Sequence, residues 1–320
     1  MKKSLFLLSI FLIVLSMFAE AQTRKLRKDE FVFGMGGTGF MGELGGANTI
    51  GSNEPKDFDF KAVRPSFDFG YRLRISDCWA IKTSIFYGMV YGSDQLTKEK
   101  FRNNRNLSFR SHLGELSSQL EFFFMSNQEG HRYKLKTHGY RNIRISPYMF
   151  AGIGGFYYNP QAKYFENANG TSSWVNLKDY HTEGQGILPT RKKYSNFAFC
   201  IPFGVGVTYG WTKYWSIGLE YGFRKTFTDY IDDCSTTYVD PKIYGNVDNS
   251  DIHTFMSTKL ANPSPTKGDI DSPFYISTQP GMQRGDPKKK DAYMFAMINI
   301  FYKIHNNKNF FPLFQKKRKY

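Results

Sequence analysis

Trp215-Ser216-Ile217-Gly218-Leu219-Glu220-Tyr221-Gly222-Phe223-Arg224 alternates without a break between a bulky apolar residue and a small or charged one. A period of two belongs to an extended strand, whose successive side chains point to opposite faces; no helical face collects it. The same alternation recurs on either side. Over 197–209 the bulky set is Phe197, Phe199, Ile201, Phe203, Val205, Val207 and Tyr209, against Ala198, Cys200, Pro202, Gly204, Gly206 and Thr208. Over 63–75 an apolar face running from Val63 to Ile75 opposes Arg64, Ser66, Asp68, Gly70, Arg72 and Arg74. Weaker alternation predicts five more strands, over 31–40, 79–92, 107–124, 146–159 and 293–304.

That makes eight strands, and those with the clearest alternation have the 9 to 11 residues a tilted strand needs to cross a bilayer. The connections alternate in length: 76–78 and 210–214 are tight turns, whereas 41–61, 160–193 and 227–292 are long. Short turns at one end and long loops at the other are the plan of an outer-membrane barrel. Residues 125–145 are the exception, a middling connection at the short-turn end. A soluble sandwich would turn its apolar faces inward and use strands of about 5 or 6 residues. The expected fold is therefore all-β, an eight-stranded antiparallel outer-membrane β-barrel with long extracellular loops.

The first twenty-one residues have the form of a signal peptide: Lys2 and Lys3, an apolar run over 5–18, and small residues at Ala19 and Ala21. The expected organisation is a leader at 1–21, a barrel at 22–304 that includes the loop 227–292, and a basic tail at 305–320. Export to the outer membrane of a Gram-negative cell follows. After the leader no stretch approaches the roughly 20 apolar residues of a membrane-spanning helix, and three cysteines in 320 residues are too few for a disulfide-stapled domain. Cys200 and Cys234 both fall toward the outer end, which leaves a bridge between them open, and Cys78 sits in a periplasmic turn.

The chain carries a formal charge of +15, and this topology sorts it unevenly. The arm, turns and tail on the periplasmic side sum to +11, while the four surface loops sum to −1. A one-sided basic surface implies an acidic partner, anionic lipid headgroups or an acidic protein; nucleic acid is excluded by export. On the inner face lie Arg64, Asp68, Arg72, Arg74, Lys82, Glu115, Glu121, Glu220 and Arg224. An eight-stranded barrel has room only for its own side chains, so these charges are expected to pair across neighbouring strands and form a plug, not a pore.

Motifs of catalysis are missing: there is no G-x-S-x-G, H-E-x-x-H, P-loop or C-x-x-C, and the six histidines have no metal-ligand spacing. No cofactor is expected. Asp229, Asp232, Asp233 and Asp240 have oxygen ligands for calcium but lack the EF-hand spacing, and are expected to form a solvated acidic loop.

Several segments resemble the PorG family, the outer-membrane barrel of the type IX secretion apparatus. They are Gly42-Glu43-Leu44-Gly45-Gly46-Ala47-Asn48, Arg64-Pro65, Leu107-Ser108-Phe109-Arg110 with Glu115 and Ser117, and Ser146-Pro147-Tyr148. Phe156 with Asn159-Pro160 and Ala162 follows, then Trp174, Leu177, Glu183-Gly184-Gln185-Gly186, Ile201-Pro202-Phe203-Gly204 and the run from Arg224 to Asp233. The departures are Ile231 in place of leucine, Cys234 in place of an aliphatic residue, and an extended 227–292 loop. The resemblance implies a non-enzymatic component that attaches the periplasmic ring of the PorK lipoprotein and PorN to the outer membrane, with no catalytic residue and no cofactor. Two basic clusters are then the expected docking surface for that ring: Arg132, Lys134, Lys136, Arg141 and Arg144, and Lys316, Lys317, Arg318 and Lys319 in the tail.

Overall fold

The structure is a computed structural model that describes residues 29–44, 60–125, 145–165, 172–212, 214–245, 252–266 and 268–304. The leader, the 125–145 basic cluster from Arg132 to Arg144 and the tail lysines Lys316, Lys317 and Lys319 with Arg318 lie outside the described residues.

Among the described residues, nine strands form a single sheet: β1 (Asp29–Met41), β2 (Arg64–Arg74), β3 (Trp79–Ser93), β4 (Ser108–Phe123), β5 (Ile145–Phe165), β6 (Ser172–Asn176), β7 (Phe197–Gly210), β8 (Trp215–Thr226) and β9 (Ala292–Ile304). Each pairs antiparallel with its neighbour in the order β4-β3-β2-β1-β9-β8-β7-β5-β6, and β4 also pairs with β5. That last pairing, running from Arg110↔Gln161 to Phe123↔Tyr148, closes eight strands into a barrel, with β6 attached to the outer end of β5. Closure removes the free edges that an open sheet would present. The first and last strands meet along their full lengths, from Asp29↔Ile304 to Met41↔Ala292.

Burial follows the alternation read from the sequence. In β8 every even residue from Ser216 to Thr226 is buried and nearly every odd one exposed. The exposed set is apolar: Phe69, Ile85, Leu116, Ile153, Phe199 and Leu219 all point outward and together band the barrel. In water such a belt would be unstable; in hydrocarbon it is the contact surface. Aromatic rings gather at the short-turn end, where Trp79 packs on Phe122 and Trp215 on Tyr302, both with centroids 4.8 Å apart. Such a girdle marks the level of the lipid headgroups. No helix among the described residues is long and apolar enough to cross a membrane.

β5 runs six residues past the expected end at 159, even though Pro160 lies within it. Its pairing with β7 ends at Tyr157↔Phe197 and its pairing with β6 starts at Gln161↔Asn176. Pro160 therefore occupies a gap in the ladder on that side, where a missing N–H is tolerated. The described parts of the long loops lie over the outer mouth and carry the helices α1 (Lys100–Arg105) and α2 (Ile252–Ala261).

Candidate functional site

Two polar assemblies are built on this frame, one inside the barrel and one above its outer mouth. Inside, from the periplasmic end outward, Arg72 Nε lies 2.6 Å from Glu121 and its Nη1 3.2 Å from Glu30, which also pairs with Arg74 at 3.6 Å. Lys82 Nζ then donates to both oxygens of Glu220 at 2.9 Å and lies 3.5 Å from Asp68. Arg224 Nε donates to both oxygens of Glu115 at 2.9 and 3.0 Å. Neutral donors complete the set: Tyr148 Oη and Asn299 Nδ2 donate to Glu220 at 2.8 and 3.1 Å, and Tyr293 Oη donates to Glu115 at 2.6 Å. Aromatic rings fill the remaining space. The Arg72 guanidinium sits 4.2 Å from the Phe301 centroid and 5.0 Å from that of Tyr148, and Arg224 lies 4.6 Å from that of Phe295. Glycine makes this packing feasible at two places, since a Cβ on Gly206 would overlap the Tyr148 ring and one on Gly222 the Phe295 ring.

Three features of this network differ from the sequence reading. Neighbouring strands do pair as expected, Glu30 of β1 with Arg72 and Arg74 of β2 and Asp68 of β2 with Lys82 of β3, but an equal set of pairs joins strands that do not adjoin, β2 with β4, β3 with β8 and β8 with β4. The register accounts for both kinds: Arg72 stands directly opposite Glu30 on β1 and opposite Lys82 on β3, so it has an acid on one neighbouring strand and a like charge on the other. Arg64 does not join; its guanidinium donates to the carbonyls of Lys61 and Val63 and lies 4.3 Å above the Tyr91 ring. Glu30, assigned by sequence to the periplasmic arm, is a lumenal residue of β1 because the strand begins at Asp29.

Above the outer mouth, four loops lock together through buried charge. Arg284 Nη1 donates to Glu183 at 2.9 Å and to the Asp233 carbonyl, and Glu183 also accepts from the backbone N–H of Ser235 and Thr236. Asp233 accepts from Thr182 and, at 2.8 Å, from Tyr194 Oη. Arg105, at the end of α1, grips Asp94 at 2.7 and 2.8 Å and donates to the carbonyls of Glu43 and Arg284. The expected solvated acidic loop is thus mostly a buried one: Asp229, Asp232 and Asp233 are at most 2% exposed, and only Asp240 faces solvent, where it caps a short turn of helix. Burial pushes the Asp233 carboxyl up to about 6 although Arg284 opposes the shift. Cys200 and Cys234 are separate buried thiols, the Cys234 Sγ donating to the Arg284 carbonyl at 3.0 Å, and Cys78 is exposed in its turn.

Glu43, Glu183 and the run ending at Asp233 were only collinear fragments in the sequence; in the cap they are neighbours. Arg284 carried no sequence signal. The burial pattern makes the molecule an outer-membrane barrel, apolar outside and charged within. The family profile described as "Domain of unknown function (DUF6089)" matches residues 3–268. The chain belongs to the DUF6089 family. No curated protein matches the sequence. Among solved structures, this DUF6089 chain is similar to Ail, the attachment invasion locus protein of Yersinia pestis, at 9% identity and TM-score 0.35, covering 87% of this chain and 99% of that one. It is similar also to Neisserial surface protein A, at 8% identity and TM-score 0.34, covering 87% and 97%. The outer membrane protein OprG from Pseudomonas aeruginosa aligns at 9% identity and TM-score 0.34, covering 88% and 98%.

Proposed function

We propose that this barrel is a non-enzymatic anchor of the type IX protein secretion apparatus, holding a PorK/PorN-like periplasmic ring to the outer membrane. One observation carries the class of function: the lumen is filled by ion pairs and rings, with Arg72, Lys82 and Arg224 all buried beneath acidic partners. A barrel closed in this way serves as a fixed point in the membrane better than as a conduit. The resemblance of the collinear segments to PorG supplies the apparatus, and the excess of basic residues on the periplasmic side supplies the docking chemistry. Arg132, Lys134, Lys136, Arg141 and Arg144, with Lys316, Lys317, Arg318 and Lys319, are the proposed contacts. A hairpin closes with a few residues, so a barrel needs neither segment. Charge pairs at a wet rim act on encounter and register, and their single substitutions are mild.

The test is purification from solubilised outer membranes. Replacing the five basic residues of 125–145 by Ser or Gln, combined with truncation after Ile304, should leave a heat-modifiable barrel in the membrane while ring proteins are lost from the eluate and secretion falls. Ring recovery and secretion at wild-type levels in that variant would remove this docking surface. A wild-type barrel that brings down no periplasmic partner would overturn the anchor itself and favour an adhesin or envelope-stabilising role.

A further inference from the structure

The cap holds a second cluster that the Arg284 network does not absorb. Glu43 follows β1, Asp232 follows β8, and Asp291 immediately precedes β9; one carboxylate oxygen from each lies within 4.8 Å of the others. Each of these groups is half satisfied. Glu43 Oε1 accepts from the Asp286 N–H at 3.0 Å, Asp232 Oδ1 from the Cys234 N–H at 2.9 Å, and Asp291 Oδ2 from the Ile231 N–H at 2.8 Å. Asp229, beside them, accepts from Ser235 Oγ at 2.6 Å through Oδ2. In all four the second oxygen, Glu43 Oε2, Asp229 Oδ1, Asp232 Oδ2 and Asp291 Oδ1, is buried with no hydrogen-bond partner. Asp232 and Asp291 are each 1% exposed.

Orphaned buried carboxylate oxygens are costly, and acids gathered this closely add their mutual repulsion. Arg105 is committed to Asp94, and Lys290, whose Nζ donates to the Pro287 carbonyl, opposes the upward shifts of Asp229 and Asp291 without reversing them. Burial, then the charge of Asp229, pushes Glu43 up to about 7; Asp232 is raised well above the carboxylate range by burial and then the charge of Asp291, and Asp291 by burial and then the charge of Glu43. A backbone N–H fixes one oxygen of each of the three carboxylates, and outer-shell bonds of this kind orient metal ligands. An all-oxygen, carboxylate-rich set selects a hard divalent ion. Calcium binds oxygen at about 2.3 to 2.6 Å in flexible geometry, so two of its ligands stand at most about 5 Å apart, a limit that the three oxygens meet, whereas magnesium, at about 2.1 Å, demands near-ideal octahedral placement and retains several waters.

We propose that Glu43, Asp232 and Asp291, with Asp229 beside them, form a calcium site that ties the loops after β1 and β8 to the start of β9. The site faces the external medium, where modules of this kind bind in the range of about 10⁻⁴ to 10⁻³ M.

The test uses the full chain, folded in detergent micelles, stripped with EGTA and titrated calorimetrically with CaCl₂. One saturable calcium per chain is expected. Trypsin cleavage at Lys288, Lys289 and Lys290, the exposed run next to Asp291, should slow about tenfold when calcium is ten times its Kd, because only the opened cap is cut and binding depletes it by that factor. Asp232→Asn with Asp291→Asn should abolish binding and make the cleavage rate indifferent to calcium. Glu43→Gln, on the least buried of the three, is the second variant and should weaken binding at least tenfold. No binding by the wild type up to about 10 mM, with equal cleavage in calcium and EGTA, would overturn the site; so would undiminished binding by the two variants.

Discussion

Lys82→Met isolates the contribution of charge pairing to the plug. Methionine nearly matches lysine in length, so packing is conserved while the ammonium is lost. Two acids are then stranded. Asp68 loses a cation 3.5 Å away, and Glu220 loses a contact of 2.9 Å to each oxygen; neither acid side chain is more than 5% exposed. Breaking a buried pair from one side costs about 3–5 kcal/mol. Glu220 keeps Tyr148 and Asn299 as neutral donors, each contributing about 1 kcal/mol, which places the loss near the lower end, about 3 kcal/mol. That is roughly a hundredfold in the folding equilibrium. Adding Glu220→Gln and Asp68→Asn removes the stranded charge and should return stability to within about 1 kcal/mol of wild type, since neutral replacements of buried ion pairs are well tolerated. Urea unfolding in lipid vesicles, followed by tryptophan fluorescence and the heat-modifiable gel band, measures both variants. Lys82→Met within about 0.5 kcal/mol of wild type, or a triple variant as unstable as the single, would refute the charge argument.

Planar-bilayer recordings of the purified barrel should show no steady conductance, and sustained large channels would contradict a plugged lumen. Maleimide labelling of the folded chain without reductant should modify Cys78 quickly and reach Cys200 and Cys234 only after unfolding; a single reactive thiol after denaturation would indicate that the two buried ones had joined. Gly206→Ala should drive Tyr148 off Glu220 and cost about 1–3 kcal/mol as overpacking, read by the same urea titration, and wild-type stability would show the ring free to move. Arg284→Met strands Glu183 and Asp233 in the cap and should speed external protease cleavage of the surface loops on intact cells at least tenfold while the barrel stays heat-modifiable. Unchanged cleavage would remove Arg284 from the cap's stability.

The strands were legible because their two faces meet different solvents. Alternation from Trp215 onward needs only a local rule, and β8 keeps it to Thr226. Strand ends were less so. Pro160 looks like a stop until the gap between β7 and β6 is known, and Glu30 looks like a residue of the N-terminal arm until β1 is seen to start at Asp29. The identity of most lumenal charges could be read from parity, but not their partners, since which acid faces Lys82 depends on how the sheet curls. Arg64 shows the limit of parity at a strand's first residue, where the side chain can turn to the rim and stack on Tyr91. The cap was not legible at all as an assembly. Its acids are held by residues up to 243 positions away, as Glu43 is by Asp286, and no period or spacing links loops that meet only after the barrel has closed.

The pairing of β1 with β9 also sets an order of events during synthesis and insertion. β1 is made early, yet the strand that completes it spans 292–304, with the last and longest loop of the outer cap encoded just before. Until those residues arrive, β1 and β8 each present an unpaired ladder, and the segment holding Arg284 and Asp291 must already have passed to the outer side. Asp291, bonded to the Ile231 N–H, stands one residue ahead of β9, so the last contact of the cap and the first pair of the closing seam form within a residue of each other. Insertion machinery handling this chain therefore has to hold an open sheet through the transfer of more than sixty residues between Thr226 and Ala292.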